Sequence, residues 1–157
     1  MQDFDLEGAL PYLLNRAGVG IGEAFSEELV RFDTTLPMWR VLASLLHRDG
    51  QRITGLSAHV SIEVSTLSRL VAGMERRGFL RRSAADDDAR AVVVRLTDEG
   101  RALAWRIVPL AELYERMALA NISAADAALL KRLLAQIYSN IASLGPRAHA
   151  IAAEKQL

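Results

Sequence analysis

Cysteine is missing from this chain altogether, so no disulfide, thiolate nucleophile or cysteine-based zinc site contributes, and oxidants cannot be sensed through a thiol. No apolar run reaches the roughly 20 residues that a membrane-crossing helix needs. The opening segment MQDFDLEG is acidic and has neither the basic segment nor the apolar block of a secretion signal. Together these absences predict a cytoplasmic protein with no membrane partner. The three histidines, His47, His59 and His149, show no spacing that suits a metal site. Nucleophile-elbow, phosphate-loop and paired-carboxylate patterns are also lacking. The expectation is a protein that is not an enzyme, with no catalytic residues, no metal and no cofactor. Net charge is lacking too, with 19 basic side chains against 19 acidic ones.

What is present is a substantial apolar complement, 51% of 157 residues, which fits a single domain spanning 1–157. The balanced charge is unevenly spread. Residues 1–46 carry 3 basic against 7 acidic side chains, residues 47–95 carry 9 against 6, and residues 98–157 carry 7 against 6. The middle of the chain is the part suited to a polyanion.

Leu10, Leu13, Leu14, Ala17, Ile21, Ala24, Phe25, Leu29 and Phe32 recur at helical spacing. They predict a helix from Leu6 to Phe32, with at most a kink at Gly18, Gly20 and Gly22. Thr34-Thr35 and Pro37 mark a second helix start, with an apolar face of Trp39, Val41, Leu42, Leu45 and Leu46 and a stop at Gly50. Thr54 is the expected cap of a short helix to Val60, followed by a turn over 61–63. Thr97 caps a long helix, which Pro109 should bend. Ser123 with Asp126 resembles a capping box, opening a last helix that ends at Gly145-Pro146.

Residues 62–100, IEVSTLSRLVAGMERRGFLRRSAADDDARAVVVRLTDEG, are the most informative stretch. Val64, Leu67, Leu70, Val71 and Met74 give one helical face to a core and leave Ser65, Thr66, Ser68 and Arg69 on the other. Gly78, after Arg76 and Arg77, ends that helix. Two strand-like runs, Phe79 to Ser83 and Ala91 to Leu96, flank a charged loop and predict a two-stranded hairpin. A polar, basic helix beside a projecting ribbon suits duplex DNA. The helix fits the major groove, and an arginine at the ribbon tip, Arg90, reaches the narrower and more negative minor groove.

The run from Ser65 to Arg101 closely resembles the winged helix-turn-helix of the MarR family of bacterial transcription regulators. The resemblance rests on Glu75-Arg76-Arg77-Gly78, on Asp88-Ala89-Arg90 in the wing, and on Leu96-Thr97 before the next helix. It implies a mainly α fold with a small β-wing (α+β), a DNA-binding lobe over 34–97, and a helical dimerisation lobe over 6–32 and 98–145. It further implies that Ser65, Thr66, Ser68 and Arg69 face DNA, and that Arg90 enters the minor groove with Asp88 holding it. The sequence departs from the usual wing in having Asp86, Asp87 and Asp88 together with Ala89, where a second basic residue often sits, which lowers the expected phosphate affinity. Terminal helices of two subunits interlock in that family, so a homodimer on a pseudo-palindromic operator is expected, with reading helices about 34 Å apart.

Several residues have a plainer reading beside the functional one. Arg77 either touches phosphate or pairs with Glu75, Asp86 or Asp87. Arg90 either meets DNA or closes a salt bridge with Asp87 or Asp88. Trp39 is either core or, with Arg40 and Arg16, part of a wall for a small aromatic or phenolic effector, the kind of ligand the resembled family often holds between its dimer helices and DNA module. The leading expectation is a sequence-specific double-stranded DNA-binding regulator, a repressor released by such an effector. The alternative is a winged-helix module that binds another protein, which would place an apolar patch where Ser65, Thr66 and Arg69 stand.

Overall fold

A computed structural model of the chain describes residues 4–85 and 90–144. Among the described residues, six helices and three short strands follow one another: α1 (Leu10–Leu29), a single 3-10 turn (Val30–Phe32), α2 (Leu36–His47), β1 (Gln51–Arg52), α3 (Ile53–Val60), α4 (Val64–Arg76), β2 (Leu80–Ala84), β3 (Val92–Leu96), α5 (Asp98–Ala118) and α6 (Ala124–Leu144). The expected mainly α architecture with a small β-wing is what forms.

Local chemistry explains most boundaries. The first helix starts at Leu10 rather than Leu6, with Pro11 in its first turn, where a missing N–H costs nothing. Gly18, Gly20 and Gly22 do not interrupt it. A Cβ at Gly22 would lie 3.1 Å from the Leu36 side chain, so the glycine admits α2 at close range. Asp33, in the left-handed region (φ 47°), ends the 3-10 turn, and Thr35 caps α2 by accepting from the Met38 N–H. Thr54 is not the cap of α3, contrary to expectation. That helix begins at Ile53, two residues earlier than a Thr54 cap implies, and its N-cap, Arg52, is held extended in β1 and makes no side-chain cap bond.

The sheet has three strands where two were expected, in the order β1-β3-β2 and antiparallel throughout. Gln51 pairs with Val94 and Arg52 with Val93; Leu80 through Ala84 pair with Leu96 through Val92. Two residues carry no periodicity, which is why β1 was invisible. What holds it is the buried Gln51 amide, which donates to the carbonyls of Ser44 (2.9 Å) and Arg48 (2.8 Å) at the end of α2.

Gly78 adopts φ 78°, the left-handed stop expected after α4. The Thr97 hydroxyl accepts from the Gly100 N–H (3.0 Å) and donates to the Gly78 carbonyl (2.6 Å), tying the start of α5 to the end of α4. Only glycine fits at 100, because a Cβ there would meet the Phe79 carbonyl oxygen at 2.0 Å. α5 passes through Pro109 as one helix. At the start of α6 the Ser123 hydroxyl accepts from the Asp126 N–H (3.1 Å) and donates to its carboxylate (2.7 Å), a variant of the expected capping box. The expected stop at Gly145-Pro146 lies outside the described residues.

Backbone contacts divide the chain into two units, Met1–Glu115 and Arg116–Leu157, with the boundary in the last turns of α5. The first unit therefore joins α1 and most of α5 to the winged lobe. Its core draws on α1 (Leu29), α2 (Val41, Leu42, Leu45), α3 (Leu56), α4 (Leu67, Val71), β3 (Val94) and α5 (Ile107), each without solvent exposure. Phe25 stands edge-on between Trp39 and Tyr114, with ring centroids 5.9 and 5.5 Å away. In the second unit none of the described residues of α6 is buried, and Leu130, Leu133, Tyr138 and Ile141 form an exposed apolar stripe. Among the described residues no helix is long and apolar enough to cross a membrane.

Leu45 packs at the centre of the first unit. Leu45→Ala should destabilise it by about 2–5 kcal/mol, read as a lower midpoint in urea unfolding followed by circular dichroism. An unchanged midpoint would contradict this account of the core.

Candidate nucleic-acid interface

The orientation of α4 follows from its seam. Leu67, Val71 and Met74 are buried, which leaves Ser65, Thr66 and Arg69 exposed and Ser68 half-buried on the other face. Val64, expected on the apolar face, is exposed instead. Glu63 is the N-cap. Its Oε2 accepts from the backbone N–H of Ser65 (2.8 Å) and Thr66 (3.1 Å) and from the Ser65 hydroxyl. The Ser65 hydroxyl bond, then the two N–H bonds, and lastly the Arg69 charge hold the Glu63 carboxyl below its ordinary range.

The wing is fastened to α4 through a second carboxylate. Glu75 Oε1 accepts from the Arg82 backbone N–H (2.9 Å), while Oε2 accepts from Arg82 Nε (2.7 Å) and Nη2 (2.6 Å). This is a two-pronged contact between a helix and the strand that follows it. At the outer end of the wing, the Ala85 N–H donates to the Ala91 carbonyl (2.8 Å) and closes the ribbon stem just before the exposed Arg90. Asp88, expected to hold Arg90, lies outside the described residues, as do Asp86 and Asp87. On the strands, Arg81 stands opposite Arg95, so the ribbon face carries paired cations.

Arg77 is placed differently from the other expected DNA contacts. Its partner is Asp33, not Glu75. Nη2 donates to the Asp33 carbonyl (2.7 Å) and carboxylate (2.6 Å), and the guanidinium lies 4.9 Å over the Phe79 ring. The left-handed backbone at Asp33 presents both oxygens to one nitrogen, which is why a partner 44 positions away wins over the neighbouring glutamate. A third carboxylate, Asp49, accepts from the N–H groups of Gly50 (2.9 Å) and Leu96 (3.0 Å) and pairs with Arg101 (3.0 Å). It locks the root of the wing to α5.

Of the expected effector residues, the structure brings two together. Half-buried Trp39 and exposed Arg40 line a cleft of about 490 Å³ with Ser44, His47, His59 and Ser61, drawn from α2 and the end of α3. Arg40 also borders a second cleft of about 620 Å³ between α1 and α2. Trp39 is core on its Phe25 side and wall on the other. Arg16 joins neither lining; it lies on the exposed side of α1, 5.6 Å over the Tyr12 ring. His47 and His59, which sequence spacing treats as unrelated, share the first cleft.

The sequence signals for Glu63, Glu75 and Asp33 were weak. Glutamate is not a preferred N-cap, so a search for Ser, Thr, Asp or Asn passes over Glu63. The partners of Glu75 and Asp33 are set by chain reversal rather than by helical spacing.

For Glu75 the Arg82 side-chain bond is the largest cause, followed by the Arg82 N–H, of a carboxyl held below its ordinary value of 4.5. A lowered folded-state value means that the clamp contributes stability in full above 4.5 and loses it as pH falls through the lower folded-state value. The stability difference between the parent and Glu75→Gln should therefore be constant near neutrality and shrink in acid below 4.5. A gap in thermal midpoint that stays constant to the lowest pH would refute the clamp.

Comparison with known proteins bears on the family and the fold. The MarR family model matches residues 34–92. A MarR family transcriptional regulator of Silicibacter pomeroyi DSS-3, solved by crystallography, is 36% identical, with 88% of this chain and 99% of that one covered at a TM-score of 0.76. The PcaV transcriptional regulator of Streptomyces coelicolor, solved in complex with its natural ligand, is 25% identical over 88% of this chain and 98% of its own, with a TM-score of 0.71. An HTH-type transcriptional repressor of Mycobacterium bovis is 28% identical over 85% of this chain and 96% of its own length. The chain belongs to the MarR family of DNA-binding transcription regulators and is not an enzyme.

Proposed function

We propose that this regulator is a cytoplasmic homodimeric repressor that grips a pseudo-palindromic operator and lets go when a small aromatic or phenolic molecule binds. The observation that carries the reading is the exposed Ser65, Thr66 and Arg69 face of a helix whose other side is buried and whose neighbouring wing is clamped to it by Glu75 and Arg82. Hydroxyls and a guanidinium so presented meet base edges and phosphates, and Ser68 contacts the backbone beside them. Arg90 enters the minor groove, where potential is most negative, with Asp88 holding its side chain. Arg77, anchored on Asp33, turns a remaining N–H to phosphate at the C-terminal end of α4.

Two features support a dimer. Leu10, Leu13, Leu14 and Ile21 on one face of α1 are exposed, as are Leu130, Leu133, Tyr138 and Ile141 of α6. Apolar stripes of that length, open to water in one subunit, are covered by the same stripes of a second copy. A two-fold pair sets two α4 helices on successive major grooves. The repressor role draws on the M. bovis relative, and the effector draws on the ligand-bound S. coelicolor relative. Trp39 offers a flat wall, while Arg40, His47 and His59 offer cationic or donor groups to a carboxylate or phenol.

On DNA from beside its own gene, the footprint should cover two half-sites about 34 Å apart. Arg90→Ala should weaken binding across all sequences and lower the salt slope by about one. Arg69→Ala should also erode the preference for operator over control DNA. Parent-like binding by both variants, or protection of a single half-site, would sink the assignment.

For the effector site, a panel of aromatic carboxylic acids should raise the thermal midpoint of the parent, and Trp39→Ala should abolish that rise. A compound that stabilises both proteins equally would remove Trp39 from the site.

A further inference from the structure

Glu63 gives the N-terminal end of α4 a distinct chemical character. Its carboxylate takes the proton of the Ser65 hydroxyl as well as two backbone N–H bonds, all on Oε2. A hydroxyl whose proton is committed to a carboxylate presents only lone pairs to a third partner. Exposed Glu63 and exposed Ser65 therefore both act as acceptors. One turn on, Arg69 directs Nε toward the Ser65 carbonyl at 3.4 Å, which leaves its two terminal nitrogens as a donor fork. Acceptors lie at one end of the exposed face and donors at the other.

The major groove distinguishes which bases answer such an arrangement. Cytosine shows an exocyclic amine with no acceptor beside it, whereas adenine sets its amine next to N7, which repels a carboxylate. Guanine and thymine offer acceptors there, and guanine O6 and N7 match a guanidinium fork. Resting on the reading that α4 lies in the major groove, we propose that Glu63 is a specificity-determining residue, selecting cytosine with Ser65 at the start of α4 while Arg69 selects guanine about one turn along. Discrimination works mainly by rejection. A carboxylate pressed against guanine or thymine is desolvated without a donor, against adenine it meets the N7 lone pair beside the amine, and its charge also turns phosphate away from this helix end.

The test is selection of binding sites from a random-sequence DNA pool by the parent, Glu63→Gln and Glu63→Ser. Serine is a strong N-cap too short to reach a base, and glutamine keeps the capping oxygen without the charge, so both variants retain the helix start. Thermal unfolding verifies that they fold. The parent should enrich half-sites with a cytosine column and a guanine column. Both variants should keep the guanine column and lose cytosine preference by about fivefold or more. An unchanged cytosine column in the two variants would make Glu63 a cap and nothing else, and a parent motif with no cytosine column would overturn the proposal outright. A parent that enriches no motif would instead overturn the groove reading itself, and the Glu63 assignment with it.

Discussion

Burial of Leu67, Val71 and Met74 sets the rotation of α4 about its own axis, and everything that the molecule can do with DNA depends on that angle. Three side chains with essentially no solvent exposure cannot leave the core without opening a cavity, so the helix does not roll. The residues on its far side are consequently presented at a fixed azimuth, with small hydroxyls first and a long cation a turn later. Short polar side chains near the helix start let the backbone approach a groove closely, and Arg69 supplies reach.

Polar contacts then fasten the pieces that packing alone leaves independent. Glu75 with Arg82 joins wing to helix, Asp33 with Arg77 joins the corner before α2 to the end of α4, and Asp49 with Arg101 joins the root of the wing to α5. Each pair is partly solvated, so its contribution to overall stability is small. Its geometric effect is larger, because every pair links two different elements and includes charge-assisted hydrogen bonds with defined direction. The Asp33 link has a particular consequence for regulation. It connects the C-terminal end of α1, whose earlier turns are proposed to dock a second copy, with the end of the helix proposed to read DNA. A ligand that favours one arrangement of α1 and α2 would thus bias the reading helix by population shift.

Much of this was legible from residue order. The helical period of Leu67, Val71 and Met74, the Gly78 stop, the Thr35 and Thr97 caps and the Ser123 start all express local rules that act within one or two turns, so they survive whatever the rest of the chain does. The wing strands announced themselves through aromatic, Val and Arg content. Where the reading fell short, the cause was non-local. β1 exists because Gln51 finds α2 carbonyls and Val94 finds a neighbour. Arg52 displaced Thr54 as the cap of α3 because the strand holds it extended.

The primary structure by itself determined the mainly α class, the winged reading head and the polar identity of its exposed face, since hydrophobic period and turn chemistry are properties of short segments. Only the folded chain decided which charges meet. It gave Arg77 to Asp33 and Arg82 to Glu75, gathered Trp39, Arg40, His47 and His59 around one cleft, left Arg16 outside it, and set Glu63 over the start of α4. Ion-pair partners and pocket walls come from chain reversals that bring remote residues within about 3–6 Å, and no spacing rule along a single segment encodes a reversal.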